Sequence, residues 1–241
     1  MNLNVEFMMK TFFLALSGIP VTLKITAVSL MISCPIAFMM AISKIYRLRI
    51  LSEISAAYVS LIRGTPIVLQ ILFVYSLLPS LLNSIVKSLN IGINVFDVNP
   101  IFYAFVVFSL NTIASLSEVF RSALLTVDHG QLEASLAIGM SNVQSYIRII
   151  IPQALKSAIP NICNVTINLI KATSLSFIMT VKEITAIAKI EAAYGYNYIE
   201  AYLIVFLVYI IVCSAVQLLF KLLENHMNYN QPIEAREGIN C

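Results

Sequence analysis

The sequence has little charge. Only 11% of its 241 residues are Asp, Glu, Lys or Arg, while 59% are hydrophobic and the mean hydropathy is +0.89. Soluble domains carry about 25% charged residues, so the charge in this chain is too sparse to cover the surface of a folded domain of this length. The composition excludes an ordinary water-soluble globule and a disordered chain. Much of the exterior must therefore face lipid.

Other absences narrow the function. The four cysteines lack CxxC or Cys/His spacing, which argues against a disulfide framework and a metal site. Basic residues form no run that could follow a phosphate backbone, so nucleic acid is not a predicted partner. No GxxxxGK[ST] phosphate-binding loop is present, so ATP chemistry must belong to another chain. We therefore expect a protein that is not an enzyme and that binds no cofactor itself.

Long apolar segments predict five membrane-spanning helices, each needing about 20 residues. The predicted spans are 20–43, 56–78, 100–116, 157–181 and 201–219. The intervening segment 79–100 has two prolines and irregular apolar spacing, which predicts an external loop with a short amphipathic piece. The fold class is an all-α integral membrane protein, with 1–241 forming a single transmembrane domain.

The basic residues predict the orientation of the spans. Loops that stay in the cytoplasm carry an excess of Lys and Arg. With the N-terminus outside, the inner side carries Lys44, Arg47, Arg49, Arg121, Arg148, Lys156, Lys221 and Arg236, and the outer side carries Lys10, Lys87, Lys182 and Lys189. The excess predicts that the N-terminus lies outside and the C-terminus inside.

The segment 118–156 is the longest hydrophilic stretch and has helical periodicity, which predicts a structured cytoplasmic loop. Gly130 is predicted to interrupt the preceding helix, and Gly139 to permit a sharp reversal because it has no Cβ. Ser141 and Gln144 predict a capping box for a second helix, which Pro152 should end. The resulting helix-turn-helix would offer an apolar knob to a partner's groove. The knob comprises Ala134, Leu136, Ala137, Ile138 and Met140.

The same loop resembles the EAA loop of binding-protein-dependent ABC permeases. Glu133, Ala134 and a small residue come first, and Gly139 follows after three more positions. Nine residues further on, an isoleucine, any residue and an aliphatic residue lead to Pro152. Ser135 stands where the family usually has alanine. The resemblance implies that this loop couples the chain to an ATPase through Glu133, Ala134, Ser135, Gly139 and Pro152.

Further motifs are similar to those of the polar amino-acid permeases, and the resemblance covers 18–224. They are Arg63-Gly64-Thr65-Pro66 with Gln70, Ser117-Glu118-Val119-Phe120-Arg121, Pro152-Gln153-Ala154, Lys171-Ala172-Thr173-Ser174-Leu175 and Glu200-Ala201-Tyr202-Leu203. The resemblance implies a type I importer fold and a permease subunit that translocates a polar amino acid across a bacterial cytoplasmic membrane.

The resemblance also implies the partners. They are a cytoplasmic ABC ATPase dimer that binds ATP and magnesium, an extracytoplasmic amino-acid-binding protein, a second permease subunit in a homodimer or heterodimer, and the lipid bilayer. The alternative is a stand-alone small secondary carrier or channel. The EAA-type loop argues against that alternative, because a stand-alone carrier has no reason to present an apolar knob to a cytoplasmic motor.

The fourth apolar segment carries a polar face. Five of its polar residues fall within a sector of about 80° on a helix. They are Ser157, Asn161, Asn164, Asn168 and Lys171. Amides and an ammonium group facing lipid would be costly, so this face is predicted to line a water-filled path or to bond to a neighbouring helix. The predicted substrate-path residues are Asn164, Asn168, Lys171, Thr173 and Ser174.

Two other groups of residues have structural and functional interpretations. Arg63, Thr65 and Pro66 are consistent with an interfacial arginine beside a kink or with a broken helix in the protein interior. Glu118 and Arg121 stand at i and i+3, and this spacing favours a mutual ion pair over direct substrate contact.

The substrate prediction rests on one missing carboxylate. Ala172 stands where amino-acid permeases of this type often have aspartate, so Lys171 lacks a neighbouring negative charge. An isolated lysine in a low-dielectric path disfavours a cationic substrate. The segment 182–202 looks most similar to permeases for cystine and related amino acids. Cystine is therefore the preferred substrate among zwitterionic polar amino acids.

Overall fold

A computed structural model describes residues 3–89 and 94–229, and in these ranges the chain forms ten α-helices and no strand. The helices are α1 (Val5–Leu16), α2 (Ile19–Ile45), α3 (Arg49–Gly64), α4 (Ile67–Ser88), α5 (Ile101–Leu125), α6 (His129–Ala137), α7 (Asn142–Ser145), α8 (Ile151–Thr173), α9 (Ile184–Gly195) and α10 (Tyr198–Tyr229). Two 3-10 helices cover Val95–Asp97 and Ser174–Met179, and a π-helical turn covers Tyr146–Ile150.

Five segments of the described chain are long and apolar enough to cross a membrane, which confirms the predicted all-α membrane fold. They are Val5–Ile45, Ile67–Ser88, Ile101–Leu125, Asn142–Met179 and Tyr198–Met227. The first segment contains both α1 and α2, with the junction at Ser17 and Gly18. The C-terminal tail after Tyr229, which was predicted to lie inside with Arg236, falls outside the described residues.

The second predicted span, 56–78, is wrong in its bounds. The chain is extended at Thr65 and Pro66, so the spanning helix is α4 and α3 is a separate helix. Within α4 lies Pro79, at the start of the segment predicted to be a loop. A proline removes one backbone hydrogen bond, which a long apolar helix in lipid can tolerate. Residues 90–93 of that predicted loop lie outside the described residues.

Three other predicted bounds also change. The third span continues nine residues beyond its predicted end at 116, through Glu118 and Arg121 to Leu125. The fourth helix starts earlier, inside the predicted loop, and is followed by a 3-10 helix instead of reaching residue 181. No helix is predicted from the sequence for 182–197, where the structure has α9. Its alanine-rich pattern is too short to register as a span.

The centre of the molecule is α5, which packs against α2, α3, α4 and α8. Small residues line its contact with α2, where the Ser33 hydroxyl donates to Ser109 O at 3.0 Å. Small side chains allow spanning helices to approach closely. Phe108 on α5 is fully buried in a cluster with Ile25 of α2 and Leu169 of α8. This packing fixes α8 beside α5 and leaves the polar face of α8 accessible.

Candidate functional site

Two short helices, α6 and α7, connect α5 to α8 and form what we call the coupling segment, 126–150. The predicted interruption at Gly130 is wrong, because α5 already ends at Leu125 and Gly130 lies in the first turn of α6. Asp128 begins this new helix, since its Oδ1 accepts a hydrogen bond from Gly130 N at 2.7 Å. A side-chain acceptor at the N-cap favours the start of a helix at Asp128, and a glycine in the first turn does not prevent it.

The reversal after α6 occurs at Gly139, as the sequence predicts. Gly139 has φ +89°, a left-handed conformation that disfavours any side chain with a Cβ. Its N–H donates to Leu136 O at 2.9 Å, and Met140 N donates to Ser135 O at 3.1 Å. This pair of bonds is a Schellman motif, which satisfies the last carbonyl groups of a helix. Ser141 and Gln144 form the predicted capping box and begin α7.

The coupling segment exposes several aliphatic side chains among polar ones. The most exposed of its large hydrophobic side chains are Ile138 at 78% and Val143 at 67%, with Leu136 and Ile147 also exposed. Of the predicted coupling residues, Glu133, Ala134, Gly139 and Pro152 are exposed. Ser135 is buried, and its hydroxyl donates to Leu132 O at 2.7 Å. Met140 is only half-exposed, so the knob consists mainly of the aliphatic residues on either side of the reversal.

Pro152 does not end the helix, contrary to the sequence prediction. The backbone passes from α7 through the π-helical turn Tyr146–Ile150 into α8, where Pro152 occupies the first turn. Ile151 N donates to Tyr146 O, five residues earlier, as a π-helical turn requires. Pro152 has no N–H to donate to the preceding turn, and the π-helical turn directly before it is a local change of hydrogen bonding that accommodates a proline within a continuous helix. The coupling segment is therefore joined to α8 by continuous helix.

The polar face of α8 is accessible along its length. Asn161, Asn164, Asn168 and Lys171 are all exposed on the isolated subunit, and none of these side chains has a hydrogen-bond partner within the described part of the chain. The structure separates them from Thr173, which is buried and donates to Ile170 O at 2.6 Å. Ser174 is half-buried and begins the 3-10 helix. The accessible face thus contains three of the five predicted path residues.

Beside this face, α5 contributes residues that the sequence analysis missed. A pocket of about 90 Å³ between α5 and α8 is lined by Asn111, Thr112 and Ser115 of α5, together with Asn168 and Ala172 of α8. The signal for these residues is the run of polar side chains in the middle of an otherwise apolar span. Polar groups at such a depth face the interior of a bundle or a cavity.

The broken helix between α3 and α4 is connected to that pocket. Gln70 Nε2 donates to Ile62 O at 2.8 Å and to Thr65 O at 3.1 Å, so its amide satisfies carbonyl groups freed by the break. Asn111 Nδ2 in turn donates to Gln70 Oε1 at 3.3 Å. Arg63 is exposed and has no ion-pair partner among the described residues. Thr65 and Pro66 are the extended residues at the break.

Glu118 lies in an ion cluster and not in the pocket. It accepts from Lys44 Nζ at 2.6 Å and from Arg121 Nε at 2.9 Å. The Arg121 contact is the i, i+3 pair favoured by the sequence, whereas Lys44 comes from the end of α2. The cluster joins α2 and α5 close to the coupling segment.

The fold and this arrangement define the class of protein: a multi-pass membrane subunit with a polar helix face and a projecting coupling segment. Residues 33–229 match the model of the family described as "Binding-protein-dependent transport system inner membrane component". The chain belongs to this family, and its relatives identify it as a permease of polar amino-acid ABC importers. Membership of this family argues against the alternative that the chain is a stand-alone secondary carrier or channel.

Individual relatives agree with this family. The probable amino-acid permease protein YxeN of Bacillus subtilis is 34% identical over 223 residues, covering 92% of this chain and 95% of YxeN. The L-cystine transport system permease protein TcyL of the same organism is 32% identical, covering 88% of this chain and 87% of TcyL. The arginine transport system permease protein ArtQ, also from B. subtilis, is 30% identical, covering 95% of this chain and all of ArtQ.

A solved structure supports the predicted fold. The crystal structure of an amino acid ABC transporter with histidines aligns with a TM-score of 0.77 and 26% identity, covering 94% of this chain and 100% of that chain. An inward-facing structure of the MetNI methionine ABC transporter has a TM-score of 0.66 at 19% identity, which supports the fold alone. The type I importer fold predicted from sequence is confirmed, as is the location in a cell membrane.

Proposed function

We propose that this chain forms a translocation path for a zwitterionic polar amino acid, with cystine as the preferred substrate, and that the path runs along the polar face of α8. The observation that supports this proposal is a row of four exposed side chains that have no hydrogen-bond partner among the described residues. They are Asn161, Asn164, Asn168 and Lys171. Lipid would leave these groups without hydrogen bonds, which is costly. A hydrated path between this subunit and a second permease subunit satisfies them.

The chemistry of the path suits an amino acid with both charges. Lys171 attracts the substrate carboxylate, while Asn164 and Asn168 provide neutral donors and acceptors. The pocket with Asn111 and Ser115 adds polar groups beside Asn168. Ala172 provides no carboxylate for a cationic side chain, which favours cystine or glutamine over arginine. The relative TcyL, named for L-cystine, supports this preference, and ArtQ, named for arginine, is the competing case.

Substrate preference can be measured with the importer reconstituted in vesicles with its ATPase and binding protein. We expect uptake of radiolabelled cystine to exceed that of arginine. The Lys171→Ala variant should lower cystine uptake about tenfold, which corresponds to ~1.4 kcal/mol of lost attraction. Lys87→Ala is the matched control, because this lysine is also exposed but lies at the end of α4, outside the polar face of α8. Fastest uptake of arginine, with no effect of Lys171→Ala, would contradict the proposal.

We further propose that the coupling segment docks on a cytoplasmic ABC ATPase dimer, which binds ATP and magnesium, and that an extracytoplasmic binding protein delivers the substrate. The exposed aliphatic residues Ile138 and Val143 support the docking, because apolar side chains at this exposure gain most when a partner's groove covers them. The second permease subunit, a copy of this chain or a related chain, completes the path.

The proposed docking fixes the topology. Since α5 lies between them and crosses the membrane once, the coupling segment and the end of α4 at Lys87 should lie on opposite sides. In a variant without the native cysteines, we expect Asn142→Cys to be labelled by an impermeant maleimide only after the cells are opened. Lys87→Cys should be labelled on intact cells. Both positions are exposed, so accessibility within the subunit does not limit the reaction. Labelling of both from outside would refute this orientation.

A further inference from the structure

Glu183 joins α9 to α10 through a carboxylate that is completely buried. Its Oε2 accepts from Thr185 N at 2.8 Å and its Oε1 accepts from Ala186 N at 2.9 Å. These two bonds cap the N-terminus of α9. The hydroxyl of Tyr209, in the middle of α10, donates to the same carboxylate at 2.9 Å. One side chain therefore holds both helices.

The turn between α1 and α2 packs against the backbone at Glu183. A Cβ atom at Gly18 would lie 2.5 Å from Ile184 N and 2.7 Å from Glu183 C. Only glycine permits this approach of one backbone to another. We call the contact of Glu183, Tyr209 and Gly18 the outer joint.

Simple attachment of α9 does not require a buried carboxylate. Lys10 of α1 pairs with Glu191 of α9 at 3.0 Å, and Lys189 lies 3.7 Å from the centre of the Phe177 ring. The buried Ala188 and Ala192 add apolar contacts with α10. A neutral Ser, Thr or Asn could cap α9, whereas a buried charge has a desolvation cost. The choice of glutamate at this position therefore suggests a role beyond holding the helix in place.

The outer joint lies where the polar face of α8 ends. Lys171 is followed by the 3-10 helix Ser174–Met179, by Thr180 in a left-handed conformation with φ 60°, and then by Glu183. The 23 residues of α8 rise about 34 Å at 1.5 Å per residue, so the joint and the coupling segment lie at opposite ends of this span. The joint therefore fixes the turn that borders the far end of the proposed path.

We propose that Glu183 is a positioning residue for opening and closing of the path at the end of α8 away from the coupling segment. The proposal rests on the path along α8. The charged carboxylate locks the residues between Lys171 and α9 to α10, so that α9 and α10 move as one body when this end opens. Protonation replaces an acceptor with a hydroxyl group, which weakens the cap and releases the turn.

The electrostatic environment supports a change of charge in the physiological range. Burial raises the pKa of Glu183 to about 7, against the lowering effect of its hydrogen bonds to the Thr185 and Ala186 backbone and to Tyr209. The elements around the joint carry these charged or titratable groups: Glu6 and Lys10 on α1, Lys24 on α2, Lys171 on α8, Lys182 before α9, Lys189, Glu191 and Tyr194 on α9, and Tyr198, Glu200, Tyr202 and Tyr209 on α10. Within the described chain, the Tyr209 side chain bonds Glu183, while Glu191 and Glu200 accept from Lys10 and from Asn4 N.

The test is uptake by the reconstituted importer between pH 6 and pH 8. Wild-type uptake should fall several-fold as the pH decreases through about 7. Glu183→Gln is permanently neutral, so its uptake should be low and independent of pH. Glu53→Gln is the matched control, because it makes the same change at an exposed carboxylate on α3 and should keep the wild-type profile. A wild-type profile in Glu183→Gln would overturn the proposal.

Tyr209→Phe provides an independent test if Glu183→Gln does not assemble. This variant keeps the carboxylate but removes a hydrogen bond that favours its charged form, so the midpoint of the uptake profile should move upward by about one unit. An unchanged midpoint would overturn the proposal. Lys171→Ala separates the two ideas: if it leaves uptake unchanged while Glu183→Gln removes the pH dependence, the path is wrong and the joint still regulates transport.

Discussion

Gly139→Val should lower substrate-stimulated ATP hydrolysis and uptake by about 10- to 100-fold, while the protein still inserts into the membrane. A β-branched residue at φ +89° is strained by about 1–3 kcal/mol, which is the range that gives this loss if docking requires the observed conformation. A Cβ at this position meets no atom within 4 Å. The expected effect therefore comes from the backbone and not from crowding.

The strain acts on the shape of the coupling segment. If the backbone at residue 139 left the left-handed conformation to relieve this strain, the hydrogen bonds from Gly139 N to Leu136 O and from Met140 N to Ser135 O would break. The angle between α6 and α7 would then change, and with it the relative placement of the exposed Ile138 and Val143 on either side of the reversal. Because π-helical and α-helical backbone connects this segment to α8, an altered segment should fail to transmit motion of the ATPase.

Gly139→Asn is the matched control, because asparagine adopts the left-handed conformation more readily than other residues with a Cβ. It should retain most of the uptake. The measurements are uptake and ATP hydrolysis in vesicles, together with recovery of the ATPase when the solubilised chain is purified. Normal uptake by Gly139→Val, or equal loss in both variants, would show that the left-handed turn is not needed for coupling.

Glu118→Ala should lower the free energy of unfolding by about 1–3 kcal/mol, less than the 3–5 kcal/mol typical of a fully buried pair. Glu118 accepts from both Lys44 and Arg121, and its side chain is 25% exposed. Its removal leaves the Lys44 ammonium, which is only 13% exposed, without a counter-charge at the end of α2. That cost is larger than the contribution of an exposed ion pair.

A double-mutant cycle with Lys44→Met measures this coupling. The double variant should be more stable than Glu118→Ala alone, because it no longer contains an unpaired ammonium. Glu53→Ala removes an exposed carboxylate on α3 and should change stability by less than about 0.5 kcal/mol. Thermal unfolding in detergent provides the measurement. Additive effects of Lys44→Met and Glu118→Ala would mean that the ion cluster does not hold α2 against α5.

Local features of this protein could be predicted because their cause lies in neighbouring residues. Charge scarcity and apolar runs predict five spans, although the bounds near Pro66, Pro79 and Glu118 differ from the prediction. The reversal at Gly139 follows from a residue without Cβ. The capping box of Ser141 and Gln144 closes over three residues. In each case, a few adjacent side chains determine the backbone.

The sequence by itself determined the membrane environment, the reversal at Gly139 and the polar face of α8, because hydrophobicity, helix periodicity and turn chemistry are local properties. Only the tertiary structure decided that Lys44 reaches Glu118, 74 positions away, that Gln70 meets Asn111, and that Glu183 meets Tyr209. The physical reason is that lipid and protein interior are both apolar. The hydrophobic pattern therefore does not distinguish which face of a spanning helix meets lipid or which helix becomes its neighbour. Close packing of small residues and hydrogen bonds between distant helices select the arrangement.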